Sequence, residues 1–140
     1  MTRVDFYILP DADEETRQTY VCRVAAKAYG LGHRVWIHAP KGAAALDDRL
    51  WTFSQGSFVP HERAGDEIDG VCPIIVGEGG EPDDGRELLI NEDGEVPPFF
   101  SRFERVAEVI NQDEDIRKHG RTRYAFYRDR GYELHYHRLS

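Results

Sequence analysis

The sequence predicts an α/β domain: a three-layer, Rossmann-like fold with a mostly parallel central sheet and no functional P-loop. Three observations predict it. Residues 4–39 read as strand, helix and strand with a short return loop, a unit that builds parallel sheets. Further along, short apolar runs of strand length are interspersed with longer amphipathic stretches. At 140 residues the chain has the size of one domain, and no repeat, linker or compositional break divides it.

The elements follow in order. Residues 4–9, VDFYIL, form an apolar run ended by Pro10 and read as a buried strand. Asp11 and Glu14 then offer a helix start of the capping-box type. Tyr20, Val21, Val24, Ala25 and Ala28 recur at helical spacing up to Tyr29, and Gly30 and Gly32 stop the helix. Residues 34–39, RVWIHA, give a second strand. Residues 42–53 predict a second helix with Leu46, Leu50 and Phe53 on one face. Residues 57–61, SFVPH, read as a short extended piece broken by Pro60. Residues 71–76 read as a buried strand, 77–85 as a solvated acidic loop, and 88–91, LLIN, as a further short strand.

From Val96, the pair Pro97-Pro98 reads as the first turn of a third long helix, where the missing proline N–H is tolerated. Phe99, Phe103, Val106 and Ile110 continue it at i, i+4, i+7 and i+11. A last helix is expected over residues 113–130, closed by Gly131. The predicted order is β-α-β-α-β-β-α-α.

Charge narrows the function classes. The net charge of −8 gives a field that repels the phosphates of nucleic acid, so direct DNA binding would require a local basic patch. The two cysteines, Cys22 and Cys72, form no CxxC pair, which points to a reduced compartment. With no signal-peptide core at the N-terminus and no apolar run of bilayer length, the expectation is a cytoplasmic protein without membrane contact.

The charges are unevenly spread. Residues 66–95 hold eleven acids against Arg86 alone. Over residues 117–130 the balance reverses: Arg117, Lys118, Arg121, Arg123, Arg128 and Arg130 stand against Asp129. On a helix, Arg117, Arg121, Tyr124 and Arg128 share one face. Like charges four apart repel, and Gly120 weakens the helix by about 1 kcal/mol relative to alanine. Two readings fit: a solvated helix with cations near its C-terminus, which suits the macrodipole, or a face kept for an acidic partner. Arginine forks pair bidentately with phosphates and carboxylates alike. An acidic peptide ending in an aromatic could place carboxylates on the arginines and its ring near Tyr124 and Ile110.

Other chemistry is poorly supported by the residues. A nucleotide- or small-acid-binding enzyme is the alternative the fold invites. Yet no GxxxxGK[ST] or GxGxxG is present, and acids follow the first strand. His135 and His137 flank Tyr136, but no third ligand accompanies them for zinc. No cofactor is expected. Cys22 and Cys72 read as core. Trp51, Phe58 and His61 fit either a core cluster or an exposed aromatic patch. Single-stranded DNA binding by the basic face would want more stacking aromatics.

Several segments together resemble the chi subunit family of bacterial DNA polymerase III. These are DFYIL at residues 5–9, the helix with Cys22 and Ala25-Ala26, GHRVWI at 32–37, and LDDRLW at 46–51. SFVPH at 57–61, VPPFFSRFERVAEVI at 96–110 and RTRYAFYRDRGYEL at 121–134 complete a resemblance that covers essentially the whole chain. The last of these is similar to an R-x-R-Y-x-x-Y-R-x-x-G signature.

The resemblance implies a helicase-like α/β domain without a working nucleotide site. It implies a non-enzymatic subunit that joins the clamp loader through the psi subunit and binds the acidic, phenylalanine-ended C-terminal tail of single-stranded-DNA-binding protein. DNA would be met only indirectly, and a helicase-like repair protein would compete with psi. Carried over by position, the tail-binding residues would be Ile110, Arg117, Arg121, Tyr124, Arg128 and Gly131. The psi-facing residues would be Trp51, Phe58, Pro60 and His61. Ala125 stands where the family can carry a lysine, which would remove one cationic contact.

Overall fold

In the computed structural model, residues 1–54, 59–65, 72–83 and 85–140 are described. The chain runs β1 (Arg3–Ile8), α1 (Glu14–Gly30), β2 (Val35–His38), α2 (Ala43–Thr52), β3 (His61–Arg63), β4 (Ile74–Gly77) and β5 (Leu88–Asn91). A 3-10 turn at Phe100–Arg102 then leads to β6 (Arg105–Ile110), α3 (Glu114–Asp129) and β7 (Glu133–Arg138). The seven strands form one sheet in the order β3-β4-β2-β5-β6-β1-β7, and every pairing is parallel.

Alternation along the strands gives each face its own core. On one face Val35, Ile37, Leu88, Ile90, Ala107 and Val109 pack with Val21, Cys22 and Ala25 of α1 and Leu46 and Leu50 of α2. On the other, Val4, Phe6, Trp36, Ile75, Leu89, Val106 and Ile110 pack with Phe99, Phe100, Phe103 and Tyr127 of α3. The result is helices, sheet and helix in three layers, the predicted α/β class with the sheet wholly parallel.

The third predicted helix is overturned. Its stripe ends in Val106 and Ile110, whose spacing of four suits a strand as well as a helix. Here Val106 and Ile110 face α3 while Ala107 and Val109 face α1. A strand buried on both faces reads as a continuous apolar run. Phe99 and Phe103 instead belong to the turn that enters β6. Two strands are absent from the predicted order: β3, which begins at the last residue of the extended piece expected over 57–61, and β7, which follows the last predicted helix. The expected strand at 71–76 is β4, with Val71 outside the described residues. The N-cap of α1 is Asp13, and Asp11 accepts a hydrogen bond from the Asp13 N–H instead.

The connections explain where a site can form. α1 carries the chain from β1 across the sheet to β2, whereas α3 carries it from β6 the other way to β7. The two crossovers lie on opposite faces and diverge around β1 and β6. A crevice outside the carboxyl ends of the strands at such a switch is where open α/β sheets bind ligands.

Candidate functional site

A groove of about 730 Å³ opens at that switch. Its floor comes from β1 and its exit, Phe6, Ile8, Leu9 and Pro10, and from Ile110 at the end of β6. α3 forms one wall with Arg117, Gly120, Arg121, Tyr124 and Arg128, and β7 the other with Tyr136 and Arg138. The register places Phe6 beside Tyr136 and Ile8 beside Arg138, so these side chains share one sheet face.

Local structure holds this arrangement. Asp113 caps α3 by accepting from the N–H groups of Asp115 and Ile116 at 3.1 and 3.2 Å. Gly120 is buried, and a Cβ there would come within 2.9 Å of Ile110 Cδ1. Glycine at this position therefore lets α3 approach β6, which accounts for a residue that costs helix propensity. At the rim, Gln112 Nε2 donates to the Leu9 carbonyl at 2.9 Å, and Gln112 N donates to the Asp11 carbonyl at 2.8 Å. Tyr124 meets Phe6 edge-on at 5.2 Å and Tyr136 at 6.4 Å, forming an aromatic wall.

The electrostatics are one-sided. Four arginines line the groove and no carboxylate does. Among the described residues Arg117, Arg121 and Arg138 have no salt-bridge partner, while Arg128 contacts only its exposed neighbour Asp129 at 3.1 Å. Apolar floor, aromatic wall and unpaired guanidinium groups together suit a ligand carrying both carboxylates and an apolar group.

Of the six residues predicted for this site, five line the groove. Gly131 does not; it sits just past α3 with φ 79°, the left-handed conformation that ends the helix. The sequence reading missed Phe6, Ile8, Gln112, Tyr136 and Arg138. Tyr136 and Arg138 carried a usable signal, their spacing of two, but the same spacing was read only for His135 and His137.

Arg123 belongs to a different environment. Its Nε donates to the fully buried Glu108 at 3.0 Å and its NH1 to the Gly94 carbonyl at 3.0 Å. Tyr127 Oη and Asn91 Nδ2 donate to the other Glu108 oxygen at 2.8 and 3.0 Å. Burial pushes the Glu108 carboxyl up from the ordinary carboxylate value, against the lowering by Arg123 and these hydrogen bonds. The Tyr127 hydroxyl is pushed up as well, first by burial and then by Glu108.

The second predicted surface lies at the opposite edge of the sheet. Trp51, at the end of α2, is 49 % exposed, and its ring lies 4.2 Å from that of His61. His61 itself is only 4 % exposed, with Nδ1 2.7 Å from the Val59 carbonyl and Nε2 3.1 Å from that of Asp47. It supports Trp51 from beneath and offers little surface of its own. Pro60 is half-buried, and Phe58 lies outside the described residues.

The remaining candidates have internal roles. Where a phosphate-binding loop would start α1, Arg17 is held by Glu14 and Glu92 at 2.5 and 2.9 Å and donates to the Val109 carbonyl. Burial pushes the Cys22 thiol up to about 12, far from a thiolate nucleophile. His137 bonds Asp5 at 2.8 Å and His135 bonds Glu133 at 2.5 Å, so each ring has its own carboxylate. Among the described residues no helix is long and apolar enough to cross a membrane.

Comparison with known proteins adds the following. Residues 1–135 match the family model for the DNA polymerase III chi subunit, HolC. The chain is 43 % identical to DNA polymerase III subunit chi of Pseudomonas aeruginosa, over 99 % of this chain and 98 % of that one. It is 32 % identical to the subunit of the same name from Haemophilus influenzae, over 92 % of each chain, and 30 % identical to that of Escherichia coli, over 96 % of each. Its fold is similar to the crystal structure of T4 UvsW, with a TM-score of 0.70 at 11 % identity. That match covers 99 % of this chain and 41 % of the UvsW chain, a likeness of fold alone.

Proposed function

The chain belongs to the DNA polymerase III chi subunit family, and from that premise we propose that it acts as a non-catalytic adaptor between that polymerase and single-stranded-DNA-binding protein. As a chi subunit it is part of the DNA replication machinery. Its basic groove takes the acidic, phenylalanine-ended C-terminal tail of the single-stranded-DNA-binding protein. The observation that carries this reading is the set of four arginines over an apolar floor with no carboxylate among the lining residues. Acidic side chains and the terminal carboxylate pair with the arginines. The terminal ring packs against Ile110 and Tyr124.

Ile110, Arg117, Arg121, Tyr124 and Arg128 make the direct contacts, and Gly131 acts by ending α3. At the other edge, Trp51 and Pro60, with His61 supporting Trp51 from beneath, belong to the surface for the psi subunit of the clamp loader, for which a helicase-like repair protein competes. DNA is reached only through these partners.

Calorimetric titration of an acidic, phenylalanine-ended peptide tests the groove. Micromolar binding, about −8 kcal/mol, is expected. Arg121→Ala should weaken it by about tenfold or more, since hydrogen bonds to charged groups are worth about 1.5–3 kcal/mol. Raised salt should weaken it further. Absence of binding at millimolar protein would sink the reading.

A further inference from the structure

We propose that the peptide held in the groove continues as an extended segment along β7, adding an eighth strand to the seven-stranded sheet. This rests on the reading of the groove just given and specifies how its ligand is gripped.

β7 ends the sheet, and among the described residues β1 is its only strand partner. Its six residues, ELHYHR, contain no proline or glycine and pair with β1 in unbroken register. Edge strands are usually blunted by prolines, bulges, charged side chains or a covering element; β7 has neither a proline nor a bulge, and of its charged residues Arg138 lines the groove, where it favours an acidic segment over a neutral one. Which backbone groups it leaves bare follows from one hydrogen bond. Leu139 N–H donates to the Ile8 carbonyl at 2.9 Å. Backbone groups alternate sides along a strand, so those of His135, His137 and Leu139 face β1. Those of Leu134, Tyr136 and Arg138 face outward, and among the described residues nothing hydrogen-bonds to them.

Tyr136 and Arg138 are therefore used twice. Their side chains line the groove, and their main-chain N–H and C=O groups form the open edge beside it. A peptide that leaves the groove past Tyr136 and Arg138 meets that edge, and pairing there would set it one strand spacing, about 4.8 Å, from β7. Charge selects the occupant. The groove presents Arg117, Arg121, Arg128 and Arg138, so an acidic segment is attracted, and its own like charges keep it extended in the free state. Strand addition then supplies affinity through the main chain, leaving side-chain choice to the groove.

The test uses the full chain and an acidic, phenylalanine-ended peptide of about ten residues, enough to run beside a six-residue strand of roughly 20 Å. Two further peptides carry backbone N-methyl groups on alternate residues, one set offset from the other by one. Amide hydrogen exchange is followed by NMR. The expected result is protection of the Leu134, Tyr136 and Arg138 amides on binding. One methylated peptide should bind about tenfold more weakly, or 1.4 kcal/mol, and its offset counterpart within about twofold of the parent.

Binding with those amides unchanged and both methylated peptides equally good would overturn strand addition and leave the groove reading standing. No binding of any peptide would overturn both. Protection of the same amides without peptide, growing with concentration alongside dimer in sedimentation, would assign the edge to a second copy of this chain and overturn the proposal.

Discussion

Helix α3 places arginines on two faces, and the two faces have opposite fates. Arg123 points into the core and meets Glu108, with Gly94, Asn91 and Tyr127 completing the hydrogen bonds. Arg117, Arg121 and Arg128 stand over the groove, where the fold supplies no carboxylate. The residue type and the helix are the same; what differs is whether the protein provides the counter-charge. A cation whose partner is built in serves stability; in the function proposed above, Arg117 and Arg121, without an ion-pair partner among the described residues, and Arg128, paired only with the exposed Asp129, serve recognition.

The largest expected effect breaks the inner face. Arg123→Ala leaves Glu108 buried without its cation and should cost about 3–5 kcal/mol, read by urea denaturation; a loss below about 1 kcal/mol would contradict the role given to this pair.

A second internal charge cluster sharpens the contrast from across the sheet. Asp5 is fully buried and shared by Arg3, Arg105 and His137 at 2.8–3.0 Å. Burial acts to raise its carboxyl, but hydrogen bonds from His137 and Arg3 and the charge of Arg105 hold it below the ordinary value. Such a group stabilises the fold above its unfolded pKa, about 3.9, and that contribution is lost as pH falls through the lower folded value. Asp5→Asn should cost about 2 kcal/mol at neutral pH. It should also flatten the acid limb of a circular-dichroism titration below about pH 4; an unchanged limb would count against it.

Gly120→Ala tests the seam between the two faces. The new methyl group presses on Ile110 and turns it into the groove. The helix gains about 1 kcal/mol of propensity, offset by the crowding. Net stability should therefore move little while tail-peptide affinity falls about tenfold. Retained affinity in this variant would mean that Ile110 is not part of the floor that the peptide feels.

The smallest effect concerns Ala125→Lys, which adds a cation to the helix one turn after Arg121. An exposed pair is worth about 0.2–1 kcal/mol, so binding should tighten by up to about fivefold, and the gain should vanish at high salt.

The groove was half legible in the sequence because half of it lies on one helix. Spacing alone groups Arg117, Arg121, Tyr124 and Arg128, and the structure puts them on one wall. It cannot group Phe6, Ile8 and Tyr136 with them, since those residues come together only through strand register. Arg123 illustrates the limit from the other side. Its charge counted toward the basic segment, yet its partner Glu108 sits within a run whose apolar spacing also satisfied a helix. Only the sheet, which buries β6 on both faces, decides that run. The first strand, the first two helices and the last helix were readable because their patterns are long or bounded by Pro10, Gly32 and Gly131.

The order of the strands also bears on time. β1 comes from the first residues of the domain and β7 from the last, and they lie side by side. The groove needs both, together with α3, so no partial fold that lacks the final strand can present it. Pairing across that sequence distance closes the longest loop in the molecule, a slow class of event in folding. Recognition through the proposed groove thus requires β1, α3 and β7 to be folded together. A copy in which β7 is unpaired would lack the groove even with the opposite edge formed, so engagement of an acidic partner there would report that β1 and β7 have met.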